Sequence, residues 1–143
     1  MCDSKGTPLA AVVSGAQASD ATYFEPVMQC VALPSSTGRP RNRPRAVVAD
    51  KGCDSQSIRR YCGRRGIRSV IPARALPEGK KRRMTGPKPK LDKAAYRDRN
   101  IIDRMIGRLK NCRRLAFRFD KLALSFAAMI SVAMIRLYLA KCS

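Results

Sequence analysis

Apolar residues first gather in a short block at residues 8–14 (PLAAVVS), behind the turn-like Asp3-Ser4-Lys5-Gly6. The β-branched valines predict a hairpin feeding a buried strand. Ser19 and Asp20 then offer a helix cap, and Tyr23, Val27, Cys30 and Val31 recur at helical spacing, which predicts a helix over residues 21–33 with Pro26 suited to its first turn. Residues 34–45 (PSSTGRPRNRPR) have no apolar period and read as an exposed, flexible basic loop. Periodicity returns as the four-residue run Ala46-Val47-Val48-Ala49, a buried-strand signal that ends at Asp50 and turns at Lys51-Gly52. A short helix over residues 55–65 stops at Gly66, and Ile67 to Ile71 supplies a second strand. Strand, helix and strand with short connections argue for an α/β unit.

Residues 72–90 form a second basic, Pro- and Gly-rich loop, expected to be mobile. Beyond it the chain reads as helical, in mixed register over residues 92–118 and then as a nearly continuous apolar run over residues 122–140 (LALSFAAMISVAMIRLYLA). That run approaches membrane-spanning length. Ser125, Ser131 and Arg136 interrupt it and alanines dilute it, so a buried core helix is the favoured reading and no membrane is expected.

Charge sharpens this picture. The 143 residues carry 30 Lys and Arg against 10 acids, a net charge of +20. Residues 39–118 hold 26 of those cations and 6 of the acids, so the whole excess lies in the middle of the chain. Such a surface calls for a polyanion, nucleic acid first among them, whereas a hydrophobic fraction of 45% excludes wholesale disorder. Six scattered cysteines, without a C-x-x-C pair and without any histidine, give no zinc site and read as reduced, mostly packing, thiols. No apolar run follows a basic start, so no secretory signal is read and cytoplasmic residence is expected.

Two acids sit where chemistry is expected. Asp50 stands at the C-terminal tip of a core strand, the edge where open α/β sheets bind ligands. In YRDRNIIDRMIGRLK, residues 96–110, Tyr96, Arg99, Asp103 and Lys110 project within roughly 60° of one another if the segment is one helix at about 100° per residue. One carboxylate flanked by cations and a phenol could hold a metal while the cations grip phosphates. A solvated amphipathic helix would produce the same periodicity.

The spacing of Tyr96, Arg99, Asp103 and Lys110 resembles the signature of DDE-type transposases of bacterial insertion sequences, in which the acid is the third catalytic carboxylate. Upstream, AVVADKGCDS (residues 46–55) is similar to the family's second motif, an apolar strand ending in the second catalytic Asp and continuing into Lys-Gly. SVIPAR, residues 69–74, and GRLKNCRRLAFRFDKLALSF, residues 107–126, look like the following strand and the C-terminal helices, so the likeness covers nearly the whole chain.

The resemblance implies an RNase H-like α/β fold, ending in long C-terminal helices. It implies a single partial catalytic domain over residues 1–143, a DDE endonuclease that nicks and joins DNA ends. Asp50 and Asp103 are then catalytic, metal-binding carboxylates, and Lys51, Tyr96, Arg99 and Lys110 are DNA- or phosphate-contacting residues. Two Mg²⁺ or Mn²⁺ ions are the implied cofactors, because hard cations take oxygen ligands and can clamp the attacking and leaving oxygens of a phosphodiester.

Two departures accompany it. Asp103 stands where the family has Glu, one methylene short of the expected reach. The strand bearing the first catalytic Asp would precede the hairpin, and Asp3 lies in a turn. The reading is therefore a truncated or split-gene fragment, inactive alone, which partners double-stranded DNA and an upstream-encoded N-terminal polypeptide; a homo-oligomer stays open. The alternative is a non-enzymatic basic nucleic-acid-binding protein.

Overall fold

The structure is a computed structural model that describes residues 1–15, 17–33, 35, 38–75 and 90–142. The chain divides into two compact units: an α/β unit made of Ser19–Glu25 and Arg43–Arg99, and a helical unit made of Met1–Ala18, Pro26–Asn42 and Asn100–Ser143. A helix, α1 (Asp20–Gln29), contributes to both.

In the α/β unit, strand β1 (Ala46–Val48) and strand β2 (Arg68–Val70) pair in parallel, with Ala46 opposite Arg68 and Val48 opposite Val70. Helix α2 (Gln56–Arg64) connects them. Its start is set by Ser55, whose hydroxyl accepts the Ile58 amide at 3.2 Å. Its end is set by Gly66, held at φ +62°: the Ile67 amide reaches back to the Cys62 carbonyl and the Gly66 amide to that of Gly63, a Schellman closure that a side chain at residue 66 would strain. Between these ends Ile58, Tyr61 and Cys62 turn inward, and with Val47, Ile67, Val70 and Ile71 they make the core of the unit. Phe24 adds an edge-to-face contact with Tyr61, ring centres 5.8 Å apart. The expected strand, helix and strand are therefore present, and the architecture is α/β with a small parallel sheet.

Two strands of three residues bury too little to hold themselves. A buried ion pair supplements them. The Asp54 side chain, 3% exposed, accepts from the Arg59 guanidinium at 2.9 and 3.0 Å and from the Arg74 amide at 2.7 Å. Arg59 donates again to the Ile71 carbonyl at 2.8 Å. The start of α2 is thereby tied to the segment leaving β2.

The helical unit opens with a turn in which Asp3 accepts the amides of Lys5 and Thr7, each at 2.8 Å, with Gly6 at φ +71° and a single bridge between Cys2 and Pro8. A Cβ on Gly6 would stand 3.2 Å from Ile101, so the turn packs directly on helix α4 (Ile101–Lys110). Residues 9–14 do not form the expected strand. Pro8 and Ala10 are buried, and the Leu9 amide and the Ala10 carbonyl pair with Met1 across the turn, but no strand is formed over residues 9–14. Leu9, Ala11 and Val13 instead line a shallow cleft with Cys30, Ala127 and Ile130.

Three further expectations are corrected. Helix α1 ends at Gln29 rather than residue 33, with Pro26 inside it, and it buries Phe24 and Met28 while Tyr23 and Val27 are half-buried; beyond its end Cys30 is exposed and Val31 is buried. The run from Tyr96 to Lys110 is three elements, helix α3 (Lys93–Arg97), a 3-10 turn over Asp98–Asn100 and α4. The final helix, α6 (Ala123–Cys142), follows the short α5 (Arg113–Ala116) and is not a buried core helix. Only 6% of its apolar window, Ala123–Ala140, is buried, and Leu124, Val132, Ile135 and Leu139 are 57–83% exposed. A helix that is apolar all round needs cover on every side; here α4, α5 and the cleft cover one side. By length and composition alone α6 could cross a membrane. The loop at residues 72–90 lies outside the described residues from 76 to 89, and residues 34, 36 and 37 of the other basic loop lie outside them too.

Arg59→Met leaves the Asp54 carboxylate buried without its cation and is expected to lower the unfolding free energy by about 3 kcal/mol. Urea denaturation reads this, and a loss below about 1 kcal/mol would show that the pair does not hold the unit together.

Candidate active site

Asp50 follows β1 directly, at the C-terminal end of the parallel pair, and its place is set by a hydrogen-bonded turn. The Ala49 amide still donates to Val70 at 3.2 Å, so extended pairing lasts to the residue before it. From there the chain enters a 3-10 turn, Lys51–Cys53, that Asp50 caps: Oδ1 accepts the Gly52 amide at 3.0 Å and the Cys53 amide at 3.3 Å. Oδ2 has no hydrogen-bond partner among the described residues. Half-buried, the carboxylate is thus oriented through one oxygen and presents the other.

Gly52 explains why Lys-Gly follows the acid. A Cβ there would stand 3.1 Å from Oδ1, tighter than an ordinary contact, so any side chain would press on the carboxylate. Lys51 is exposed beside it.

Asp103 lies on the exposed side of α4, in its first turn, with the buried Met105 on the inward side. Lys110 follows seven residues later, about 20° away around the helix, and is also exposed. Tyr96 in α3 and Arg99 in the 3-10 turn are half-buried and belong to the α/β unit, whereas Asp103 and Lys110 belong to the helical unit. That 3-10 turn, Asp98–Asn100, stands between α3 and α4 in the chain.

Asp50 is an oxygen donor of the kind a hard divalent cation takes. Among the described residues, however, no three His, Cys, Asp or Glu side chains gather as a metal-binding group. The donor set for two ions is therefore not assembled from the described residues.

Residue patterns did not reveal the role of Asp54. It accepts from Arg59, and it stands one position before the Ser55 cap of the same helix. An acid just ahead of a capping serine, with an arginine in the second turn, was the available signal. Thiols divide differently than expected. Cys62 is buried, and desolvation raises its thiol above the usual range, partly offset by the Arg59 charge, but Cys30 is exposed and Cys2, Cys53 and Cys112 are half-exposed.

The capping role separates two substitutions. Asp50→Ala should cost about 1 kcal/mol, whereas Asp50→Asn keeps an accepting oxygen and should cost less than half as much in the same urea titration. Equal losses would show that the cap is not made. In a thiol-reagent time course at pH 8, Cys30 is expected to react first and Cys62 last, only on unfolding; early labelling of Cys62 would contradict its burial.

Known proteins match this chain over most of its length. The chain is similar, at 34% identity over 122 residues, to the inferred transposase for insertion sequence element IS402 of Burkholderia cepacia, a match that takes in 85% of this chain and 52% of the relative. It thus spans about half the length of that relative. No solved structure matches. The family model described as the transposase DDE domain matches residues 1–138, and the chain belongs to the DDE transposase family.

Proposed function

We propose that this chain forms part of the catalytic domain of a DNA transposase, to which it contributes Asp50 and Asp103 as two metal-binding carboxylates. The observation that carries this reading is Asp50: a carboxylate at the tip of a parallel strand, steered by two backbone amides, with its second oxygen presented, inside a chain matched almost throughout by the DDE domain. An RNase H-like arrangement of the two units as one incomplete domain belongs to the same reading, as does cytoplasmic residence with the DNA. Lys51 and Lys110, both exposed, are suited to phosphate contacts, and Tyr96 and Arg99 support them. Mg²⁺ or Mn²⁺ is the cofactor such oxygen donors select.

Alone, the chain is inactive. It spans about half of its relative, and on this reading the rest of the catalytic domain supplies the further carboxylates. The competing reading, a basic nucleic-acid binder without chemistry, is favoured by one observation: the Asp50 carboxylate already has a structural use as a cap.

Nicking of a labelled duplex containing an element end, with Mg²⁺ or Mn²⁺, tests both. The purified chain is expected to give none. A chimera in which these 122 residues replace the matching part of the Burkholderia cepacia relative is expected to nick, and to lose at least about 1000-fold in rate with Asp50→Asn. Robust nicking by the chain alone would overturn the claim of inactivity. A chimera indifferent to Asp50→Asn would leave the non-enzymatic reading.

A further inference from the structure

The end of the α/β unit opposite Asp50 is an arginine edge. Strands β1 and β2 run in parallel, so the residues before each lie at the same end. Before β1 come Arg43 and Arg45, and before β2 come Arg64 and Arg65, because α2 returns the chain to this edge. The Arg68 amide donates to the Arg45 carbonyl at 3.0 Å, and an Arg43 guanidinium nitrogen lies 3.9 Å from where a Cβ on Gly66 would stand, which brings the two approaches side by side. Arg60 extends the edge along the outer face of α2, one turn before Arg64 and away from Ile58, Tyr61 and Cys62.

Five arginines, Arg43, Arg45, Arg60, Arg64 and Arg65, are therefore exposed on one surface. Arg65 stacks on the Tyr61 ring at 4.9 Å, and Asp92 pairs with Arg68 at 3.1 Å. No carboxylate among the described residues pairs with Arg43, Arg45, Arg60 or Arg64. Cations at a helix C-terminus complement its dipole, which accounts for Arg64 and Arg65. It does not account for Arg43 and Arg45, which arrive from another segment with nothing to neutralise.

The geometry points to this edge as a second DNA-binding surface, one that grips the phosphate backbone of duplex DNA away from the strand presented to Asp50. Five residues of extended chain separate Arg45 from Asp50, roughly 16 Å at about 3.3 Å per residue, so a phosphate held here is not the one beside that carboxylate. Guanidiniums match phosphate oxygens in pairs, and contacts to phosphate carry no base identity, so a surface that grips only the backbone holds duplex without sequence preference. This inference rests on the reading of the chain as one that acts on DNA.

Fluorescence anisotropy with a 30-base-pair duplex of arbitrary sequence, titrated with KCl, tests it on the 143-residue chain. The triple variant Arg43→Ala, Arg45→Ala, Arg64→Ala is expected to bind about ten-fold or more weakly at low salt and to flatten the log-log salt slope by about 2 to 3, near 0.9 for each phosphate no longer neutralised. The corresponding Lys triple should keep most of the slope, which separates charge from folding. Arg104→Ala, Arg108→Ala, Arg113→Ala, an equal change of charge in the helical unit, serves as the comparison. If both alanine triples flatten the slope equally, or the first leaves it unchanged, the arginine edge is not a binding surface even though the chain binds DNA. If the wild-type chain binds no duplex at all, the DNA reading itself fails.

Discussion

The α/β unit depends on the buried contact between Asp54 and Arg59. Two three-residue strands and a nine-residue helix offer little apolar area, and each element alone would fray. The carboxylate of Asp54 collects Arg59 and the Arg74 amide, while Arg59 also reaches the Ile71 carbonyl, so the chain before α2 and the chain after β2 become one node. Burying such a pair returns little net energy, since desolvation offsets most of the attraction, but every alternative packing that separates it is expensive. Its value is in selecting one arrangement. That arrangement fixes the turn between β1 and α2, and the turn carries Asp50.

How much of this was legible follows from how local each signal was. The strand leading to Asp50 and the Gly66 stop were readable because each depends on a few neighbouring residues: β-branched side chains, a glycine at positive φ. Gly52 could be placed in a turn, but its proximity to Oδ1 required the fold. Features set by tertiary neighbours were not legible. Phe24 and Met28 are as helical in spacing as Tyr23 and Val27, and only packing decides which pair turns inward. The 3-10 break at Asp98–Asn100 sits in a segment of ordinary helix formers, so periodicity ran straight through it. Burial of α6 was inferred from its composition, which fixes what a helix tolerates on its surface and says nothing of what lies beside it.

The α/β unit also separates its charges along the strand direction. Asp50 and Asp54 follow the C-terminal end of β1, and arginines crowd the other end. One acid at the first end is consumed by Arg59, and the other is oriented by its own turn, so the two carboxylates have divided labour: one holds the fold and one faces outward. At the far end Arg64 and Arg65 complement the end of α2 and Arg65 stacks on Tyr61, whereas Arg43 and Arg45 carry no such structural duty. A polyanion meeting this unit encounters two unlike ends, and its preferred approach is set before any specific contact forms.

The exposed side of α6 gives the chain a second, opposite response to its medium. Leu124, Val132, Ile135 and Leu139 fall within about 80° of the helix circumference and form an uncharged ridge on a strongly basic protein. Raising the ionic strength weakens the grip of the arginines on phosphate. The same change, with salts that are excluded from protein surfaces, strengthens adhesion between apolar ridges. If the arginine edge holds phosphate as proposed, the conditions that release it are, with such excluded salts, also those that favour contact between these ridges.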